Sequence, residues 1–305
     1  MSISTMPRPI SNELVILRLL NARMELSEHD KWNYARLEKG FDGELKFDQL
    51  TDVLVNNGIV IKGLLLEVND IEFQIDTTII FQGIIYLFDV KNYENDYYYE
   101  NGKLYSKNGN IVTDPLLQLE RCESLFLRLL KDLGFDIRVV CRLVFINPEF
   151  TLMQAPRDSP IVYPSQVKRL MKQLNEFPSK LTKRHEDLAR KLISLHKPVS
   201  SNMKLPAYGY EQLEKRIMCK LCYSRSTIVQ HNFIVCGTCG HRELVDYAVV
   251  RSVRELLVLF PGIRITTNLV YEWCGIVESK KMIGRILKEH YKAIGYGQWT
   301  YYIPK

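Results

Sequence analysis

Two acidic residues and a lysine lie close together in strand-like sequence. Asp76 belongs to the run QIDTTII, and Asp89 and Lys91 belong to the run YLFDVKNY. Because side chains alternate along a strand, Asp89 and Lys91 project from one face while Val90 points to the other. If the two runs pair as a hairpin around Gly83, Asp76 comes near Asp89. Two carboxylates converging beside a backbone carbonyl are oxygen ligands that Mg²⁺ prefers, so the pattern predicts a divalent-metal site.

A lysine beside paired carboxylates suits the hydrolysis of a phosphate ester. It can orient or deprotonate a water for attack on phosphorus, while a metal stabilises the developing charge. The structural alternative is a surface Asp–Lys pair on an edge strand. The Asp-x-Lys pattern by itself favours that alternative, so the hydrolytic interpretation needs support from the surrounding sequence.

Four of the seven cysteines form a second candidate site. They fall in two Cys-x-x-Cys pairs separated by thirteen residues, the spacing of two knuckles in a zinc ribbon. A redox Cys-x-x-Cys needs only one pair, near a βαβ unit, and gives no reason for two. We therefore expect one structural Zn²⁺ with four thiolate ligands: Cys219, Cys222, Cys236 and Cys239.

The elements around the acidic residues alternate between strand-like and helical patterns. β-branched and aromatic runs predict strands, and spaced leucines predict amphipathic helices. A helix is expected to begin at the glycine-rich stretch of Gly40 and Gly43 and to end at Gly58. The remaining elements expected in this α/β domain are strands at 63–68, 71–80, 83–90, 137–147 and 160–163, with helices at 114–134 and from Ser165.

Three ordered blocks of this region resemble the nuclease-related domain (NERD) family of the PD-(D/E)XK, or restriction-endonuclease-like, superfamily. The blocks are GFDGELKFDQL, FQIDTTIIFQGIIYLFDVKNY and DPLLQLERCESLFLRLL, within roughly residues 38–150. The resemblance implies a restriction-endonuclease-like mixed sheet flanked by helices. It also implies a nuclease that uses Mg²⁺ or Mn²⁺.

The resemblance assigns site residues one by one. Asp76 and Asp89 match the metal-binding acids, and Lys91 matches the lysine of the (D/E)-x-Lys pair, where this chain has Asp instead of the commoner Glu. Glu44 matches the acidic residue of the first helix, and Gln118 matches the glutamine of the helix after the core strands. Each of the last two has a structural alternative, a helix-dipole interaction for Glu44 and a solvated helix position for Gln118.

Charge is distributed unevenly along the chain. Residues 1–178 hold 20 basic and 25 acidic side chains, whereas residues 179–305 hold 21 basic and 10 acidic, a net charge of +11. A basic half indicates a polyanionic partner, most simply nucleic acid, because lysines and arginines that neutralise phosphates release counterions. A solvated basic surface that maintains solubility is the alternative.

The C-terminal tail predicts helix, turn, helix and β-hairpin. This order resembles a winged-helix DNA-binding domain, whose second helix enters the major groove. The alternative is a small helical cap packed on the zinc ribbon. The expected nucleic-acid-binding residues are the basic residues of the second helix: Lys280, Lys281, Arg285 and Lys288.

These patterns divide the chain into five predicted segments. They are an N-terminal helical segment (1–37), a nuclease-related domain (38–177), a basic helical linker (178–214), a zinc ribbon (215–245) and a winged-helix-like module (246–305).

Composition bounds the class of protein. Hydrophobic residues make up 46% and charged residues 25%, as in globular proteins. The sequence has no apolar run of about 18 residues and no export signal, so we expect a soluble cytoplasmic protein with no membrane partner. The predicted function is Mg²⁺-dependent hydrolysis of DNA, with RNA open as a substrate because the metal chemistry is the same. The alternative is a non-catalytic DNA-binding or regulatory protein that uses the α/β domain as a scaffold.

Overall fold

The computed structural model describes residues 3–4 and 7–305. The described helices are α1 (Asn12–Arg23), α2 (Glu28–Asp52), α3 (Pro115–Asp132), α4 (Pro164–Glu176), α5 (Lys183–Ser194), α6 (Val245–Leu259), α7 (Thr267–Cys274) and α8 (Lys280–His290). None of them has the length and apolar character required to cross a membrane.

The described strands have two to six residues, apart from the four central strands of the largest sheet, which have eight or ten. They are β1 (Ile3–Ser4), β2 (Ile59–Val68), β3 (Ile71–Ile80), β4 (Ile84–Lys91), β5 (Asn95–Glu100), β6 (Lys103–Ser106), β7 (Ile111–Val112), β8 (Arg138–Phe145), β9 (Phe150–Met153), β10 (Ile161–Val162), β11 (Thr227–Gln230), β12 (Phe233–Cys236), β13 (Arg242–Leu244), β14 (Tyr291–Ile294) and β15 (Tyr301–Pro304).

The chain divides into two compact units. Unit 1 comprises Met1–Asn12 and Ala35–Asn202, and unit 2 comprises Glu13–Tyr34 and Met203–Lys305. The segments expected at 1–37 and at 178–214 are therefore each divided between the units. In particular, α5 of the expected linker buries Leu188 and Leu192 in the core of unit 1, because its apolar side chains recur at helical spacing.

Unit 1 is built on a six-stranded mixed sheet in the order β1-β2-β3-β4-β8-β10. The strands β2, β3 and β4 form an antiparallel meander. Strand β8 pairs parallel with β4, and β10 pairs parallel with β8. Parallel pairing of β4 and β8 requires a crossover, which α3 supplies. The prediction of a mixed sheet flanked by helices is confirmed.

Helices cover both faces of this sheet. On one face, Phe47 of α2 and Leu170 of α4 pack with Phe88 of β4. On the other face, Phe126 of α3 and Leu188 of α5 pack with strand residues of a second core cluster. Coverage on both faces explains why the central strands are nearly continuous hydrophobic runs.

A separate four-stranded sheet, in the order β7-β6-β5-β9, follows directly after Lys91. Its tyrosines pack rather than stand free. Tyr97 stacks on Tyr93 with ring centroids 5.2 Å apart, and Tyr98 stacks on Tyr105 at 5.3 Å. These contacts make the tyrosine-rich run a structural strand beside the end of β4.

The prediction that the first helix of this domain begins at the glycine-rich stretch of Gly40 and Gly43 is wrong. Helix α2 is continuous from Glu28 to Asp52, so Gly40 and Gly43 lie inside it, and it ends before Gly58. A helix interior tolerates single glycines at a cost of about 1 kcal/mol each when tertiary packing compensates. Gly43 has such a packing reason, because it lies against Asn92.

Unit 2 has one hydrophobic core, formed by α1 and the C-terminal helices. Leu20 of α1 and Trp273 of α7 are fully buried in it. The guanidinium of Arg23 lies 3.9 Å from the centre of the Trp273 ring and donates to Glu255 at 2.5 Å. The buried cation is thus both paired with a carboxylate and stacked on an aromatic face.

The order of elements predicted for the tail is confirmed. Thr266 and Ser279 cap α7 and α8 with their side-chain oxygens, and Gly275 ends α7 with φ +64°. Strands β14 and β15 then form the antiparallel hairpin. The strands β11, β12 and β13 form a three-stranded antiparallel sheet, in which β11 and β12 lie between the two cysteine pairs and β13 lies between the second pair and α6.

Candidate functional site

The register of β3 and β4 brings Asp76 beside Asp89. The two strands pair antiparallel as far as Thr77 opposite Phe88, and Asp76 and Asp89 are the next residues of this register. One oxygen of Asp76, Oδ2, accepts a hydrogen bond of 2.8 Å from the backbone N–H of Val90. The Asp76 carboxylate therefore lies against the end of β4, where Asp89 also projects.

Asp89 and Lys91 lie on the same face of β4, as strand alternation predicts. The Nζ atom of Lys91 is 2.7 Å from Oδ1 of Asp89, and each side chain is about one-fifth exposed. Burial raises the pKa of Asp89 to about 6, and the nearby Asp76 carboxylate adds to the rise, while Lys91 opposes it. The charges of Asp76 and Lys91 thus both act on Asp89.

Glu44 reaches this site from α2, and Gly43 lets the helix approach. A Cβ on Gly43 would lie 2.6 Å from Cβ of Asn92, the residue after Lys91. No larger residue fits between the helix and the end of β4 without displacing one of them. Burial and the charge of Asp76 raise the pKa of Glu44 to about 8, although Arg8 opposes the rise.

Arg8 is a site residue that the sequence analysis missed. Its side chain is 2% exposed and contacts groups from both α2 and β3. One nitrogen donates to Glu44 at 2.6 Å, and two others form a bidentate pair with Asp48 at 2.8 and 2.7 Å. A further bond of 2.9 Å reaches the backbone carbonyl of Asp76. Arg8 thus links the helix carrying Glu44 to the strand carrying Asp76.

The backbone of β2 is shaped to admit this arginine. The β2–β3 ladder omits the pair of Gly63 and Asp76, which leaves the Asp76 carbonyl available to Arg8. Gly63 has φ +66°, and a Cβ there would lie 2.8 Å from the ring of Pro9. Only glycine meets both requirements, because other residues are strained at this φ and too large for the approach.

A second buried cation pairs with acids of α2 behind the site. Lys62 of β2 pairs with Asp52 at 2.6 Å and lies 3.9 Å from Asp48. Asp48 is one helical turn after Glu44, so both face the same strands. Three acids of α2 are therefore matched by Arg8 and Lys62.

Gln118 is less closely tied to the site than the other expected residues. It is exposed on α3, one helical turn before Cys122. The Cys122 thiol lies against β3, donating to the carbonyl of Gln74 at 3.5 Å. Burial raises the pKa of Cys122 to about 12, and the charges of Asp89 and Asp76 contribute to the rise. Cys122 therefore borders the carboxylates, and Gln118 lies one helical turn away from it with an exposed side chain.

The paired carboxylates fit a hard divalent cation better than the full acidic set does. Asp76 and Asp89 are adjacent, and their mutual repulsion contributes to the raised pKa of Asp89. A bound cation relieves such repulsion. Glu44 does not complete a three-acid cluster, because among the described residues only the four cysteines bring three or more ligand atoms within 4.8 Å of one another.

The four predicted zinc ligands do converge. Their Sγ atoms all lie within 4.8 Å of one another. The Cys219–Cys239 and Cys222–Cys236 sulfur pairs are each 3.6 Å apart. Tetrahedral Zn²⁺ with bonds of about 2.3 Å requires sulfurs about 3.8 Å apart, so this geometry fits the ion. The prediction of a zinc ribbon with four cysteine ligands agrees with the structure.

Backbone amides prepare one of these thiols to bind a cation. Burial acts to raise the pKa of Cys236, but hydrogen bonds from the backbone N–H groups of Cys239 and Thr238, and from the thiols of Cys222 and Cys219, lower it to about 6. A thiol with a low pKa is readily available as the thiolate that coordinates zinc. Neither His231 nor His241 joins the quartet.

The expected nucleic-acid-binding residues differ in their surroundings. Lys280, Lys281, Arg285 and Lys288 are all exposed on α8. Arg285, however, pairs with both oxygens of Asp246 at 2.9 Å and with Glu289 at 3.2 Å. Its charge is already balanced by two carboxylates, so it is a weaker candidate for phosphate contact than the lysines.

Comparison with known proteins finds a family match for the region that carries the acidic residues. Residues 39–146 match the family described as the nuclease-related domain. The chain matches no curated protein. It also matches no solved structure. The matched segment contains Glu44, Asp76, Asp89, Lys91 and Gln118, and Arg8 and the cysteine quartet lie outside it.

Substitution of Arg8 tests its role as the link between α2 and β3. Arg8→Met leaves buried carboxylates unpaired and should destabilise unit 1 by about 3–5 kcal/mol. Lys39→Met, which breaks the half-exposed pair with Glu94, should cost less than about 1 kcal/mol. Trp32, Trp273 and Trp299 all lie in unit 2, so tryptophan fluorescence does not report on unit 1. Hydrogen exchange of the β2 and β3 amides measures the effect instead. Equal protection in the two variants would contradict the role.

The raised pKa of Glu44 predicts a pH-dependent loss of stability. The folded chain keeps a proton on Glu44 up to about pH 8, whereas the unfolded chain releases it near its ordinary pKa of 4.5. Stability contributed by this group therefore falls as pH rises between these values. Without divalent cations, wild type should lose stability relative to Glu44→Gln across this window in urea unfolding followed by circular dichroism. Parallel pH profiles would show that Glu44 does not titrate this way.

Proposed function

We propose that the nuclease-related domain at residues 39–146 is a metal-dependent nuclease that hydrolyses DNA phosphodiester bonds. The observation that carries this proposal is the convergence of Asp76, Asp89 and Lys91 at the ends of β3 and β4. A purely structural Asp–Lys pair has no need of a second carboxylate that raises the pKa of its partner.

In this proposal Asp76 and Asp89 hold Mg²⁺ or Mn²⁺ through their carboxylate oxygens. Hydrogen bonds from Val90 N–H and from the Gln74 side chain fix the orientation of Asp76. The metal supplies charge stabilisation to the phosphate under attack. With a pKa of about 6, Asp89 is mostly ionised near neutral pH and is available as a ligand.

Lys91 acts as a cation rather than as a base. Burial tends to lower its pKa, but the charges of Asp89 and Asp76 raise it above the ordinary value. A protonated ammonium cannot take a proton from water. It can orient the attacking water by hydrogen bonding and stabilise the negative charge of the pentacoordinate phosphate.

Glu44 and Gln118 are assisting residues in this proposal. Glu44 lies close enough to Asp76 for their charges to interact, and its bond to Arg8 fixes one carboxylate oxygen. Gln118 is exposed on α3, one helical turn before Cys122, whose pKa is raised by burial and by the nearby charges of Asp89 and Asp76. In this role Glu44 and Gln118 would each orient water or phosphate oxygens at the edge of the site.

Unit 2 is proposed to bind the nucleic acid. The quartet Cys219, Cys222, Cys236 and Cys239 holds one structural Zn²⁺, because four thiolates fill a tetrahedral site and leave no open position. Residues 203–305, which belong to unit 2, hold 15 basic and 8 acidic side chains, and this basic excess favours a polyanion. Lys280, Lys281 and Lys288 are exposed on α8 and available to phosphates, with Arg285 a weaker contributor. The cytoplasmic location stays a prediction.

Lys91→Ala tests catalysis directly. Removing the cation should lower the rate of Mg²⁺-dependent DNA cleavage at least about 100-fold, the scale of losing one transition-state contact. Lys107→Ala is the matched control, because Lys107 also pairs with an aspartate, Asp96 at 3.2 Å, but on an exposed strand turn. The control should cut like wild type. Circular and linear DNA are used as parallel substrates to separate internal cutting from cutting at ends.

Two outcomes would count against the proposal. Equal cutting by wild type and Lys91→Ala would assign the activity to a contaminating enzyme. Absence of cutting and of divalent-metal binding, with DNA affinity retained, would favour the non-catalytic DNA-binding alternative.

A further inference from the structure

The tip of the C-terminal hairpin presents two aromatic side chains to solvent. Between β14 and β15, Tyr296 is 91% exposed and Trp299 is 79% exposed. Among the large hydrophobic side chains that the structure describes, these are the two most exposed. They lie three positions apart in the short sequence GYGQWT.

The tip has a defined backbone. The N–H of Trp299 donates to the carbonyl of Tyr296 at 3.2 Å, and the N–H of Thr300 donates to the carbonyl of Gly297 at 3.3 Å. A Cβ on Gly295, whose φ is +84°, would lie 2.9 Å from the carbonyl oxygen of Trp299. The turn is therefore closed tightly enough to hold both rings at the same end of the hairpin.

Folding of unit 2 does not account for these rings. The same hairpin supplies Tyr291 and Tyr302 to the core, where they are 7% and 5% exposed. A tyrosine or tryptophan that packs in a core buries about 150–250 Å². Tyr296 and Trp299 forgo this burial, which points to a role in contacting a partner.

The net charge of the hairpin and of the segment before it indicates the kind of partner. Residues 291–305 contain two lysines, Lys292 and Lys305, and no acidic residue. Across residues 264–305, seven basic residues face three acidic ones. The guanidinium of Arg264 also lies 5.5 Å from the ring centre of Tyr301, on the hairpin itself. Flat aromatic rings on a hairpin of net positive charge, with Arg264 near its tip end, match the faces of nucleobases linked by phosphates.

We infer that Tyr296 and Trp299 form a stacking site for unpaired bases of a nucleic acid. Bases inside a duplex already stack on their neighbours, so exposed rings can stack only on bases of a single strand, a frayed end or a junction. The inference rests on the proposed nucleic-acid binding by unit 2 and adds the class of substrate, one that carries unpaired bases.

Binding of labelled oligonucleotides to the full chain tests this inference. Fluorescence anisotropy compares a thymine 20-mer with a duplex of equal length, without added divalent cations so that no cleavage intervenes. Tyr296→Ala and Trp299→Ala should each weaken single-strand binding at least about fivefold, and Trp299→Phe should retain most of it. Duplex affinity should be unchanged in all three, because phosphate contacts elsewhere remain.

Trp32→Ala is the matched control, since Trp32 is another exposed tryptophan of unit 2, at 64%. It should bind both oligonucleotides like wild type. Quenching of tryptophan fluorescence by the single strand should persist in Trp32→Phe and disappear in Trp299→Phe.

Three results would overturn the inference. The first is unchanged single-strand binding when Tyr296→Ala and Trp299→Ala are combined. The second is no single-strand binding by wild type. The third is self-association of wild type that each of these two substitutions abolishes. The last result would identify a second copy of the chain as the partner. None of these results bears on cleavage, which the Lys91→Ala comparison decides separately.

Discussion

Unit 1 depends on holding like charges together. Glu44, Asp76 and Asp89 come from α2, β3 and β4, and burial, together with the nearby charge of Asp76, raises the pKa of both Glu44 and Asp89. Bringing buried carboxylates together costs free energy unless cations compensate. Arg8 compensates behind the site and Lys91 compensates within it. The paired Asp76 and Asp89 still repel one another, and a divalent cation is the natural complement to that remaining repulsion.

Backbone geometry sets this arrangement as much as side-chain chemistry does. Gly43 lets α2 approach the end of β4, and the interruption of the β2–β3 ladder at Gly63 frees a carbonyl for Arg8. Two hydrophobic cores on opposite faces of the sheet keep these backbones in place. In unit 2, the bound zinc would take the corresponding role for a ribbon whose strands have only three or four residues.

Sequence reasoning identified the residues whose signals are local. Strand alternation placed Lys91 beside Asp89, and the Cys-x-x-Cys spacing identified the four cysteines that converge. It missed Arg8, because the partners of Arg8 lie 36 to 69 residues away along the chain and no periodic pattern links them. It also misjudged Gly43 as a helix entrance, since the close approach to Asn92 that explains this glycine exists only in the folded sheet. Tertiary contacts that override local preference are visible only in the structure.

Asp76 and Asp89 are proposed to form the binding site of a hard divalent cation. Titration of zinc-loaded protein with Mn²⁺, followed by electron paramagnetic resonance, measures this binding without requiring a substrate. We predict one Mn²⁺ site in wild type that Asp89→Asn abolishes and that Asp96→Asn, at a partly exposed aspartate of β5, leaves intact. Equal Mn²⁺ binding by wild type and Asp89→Asn, or none by wild type, would contradict it.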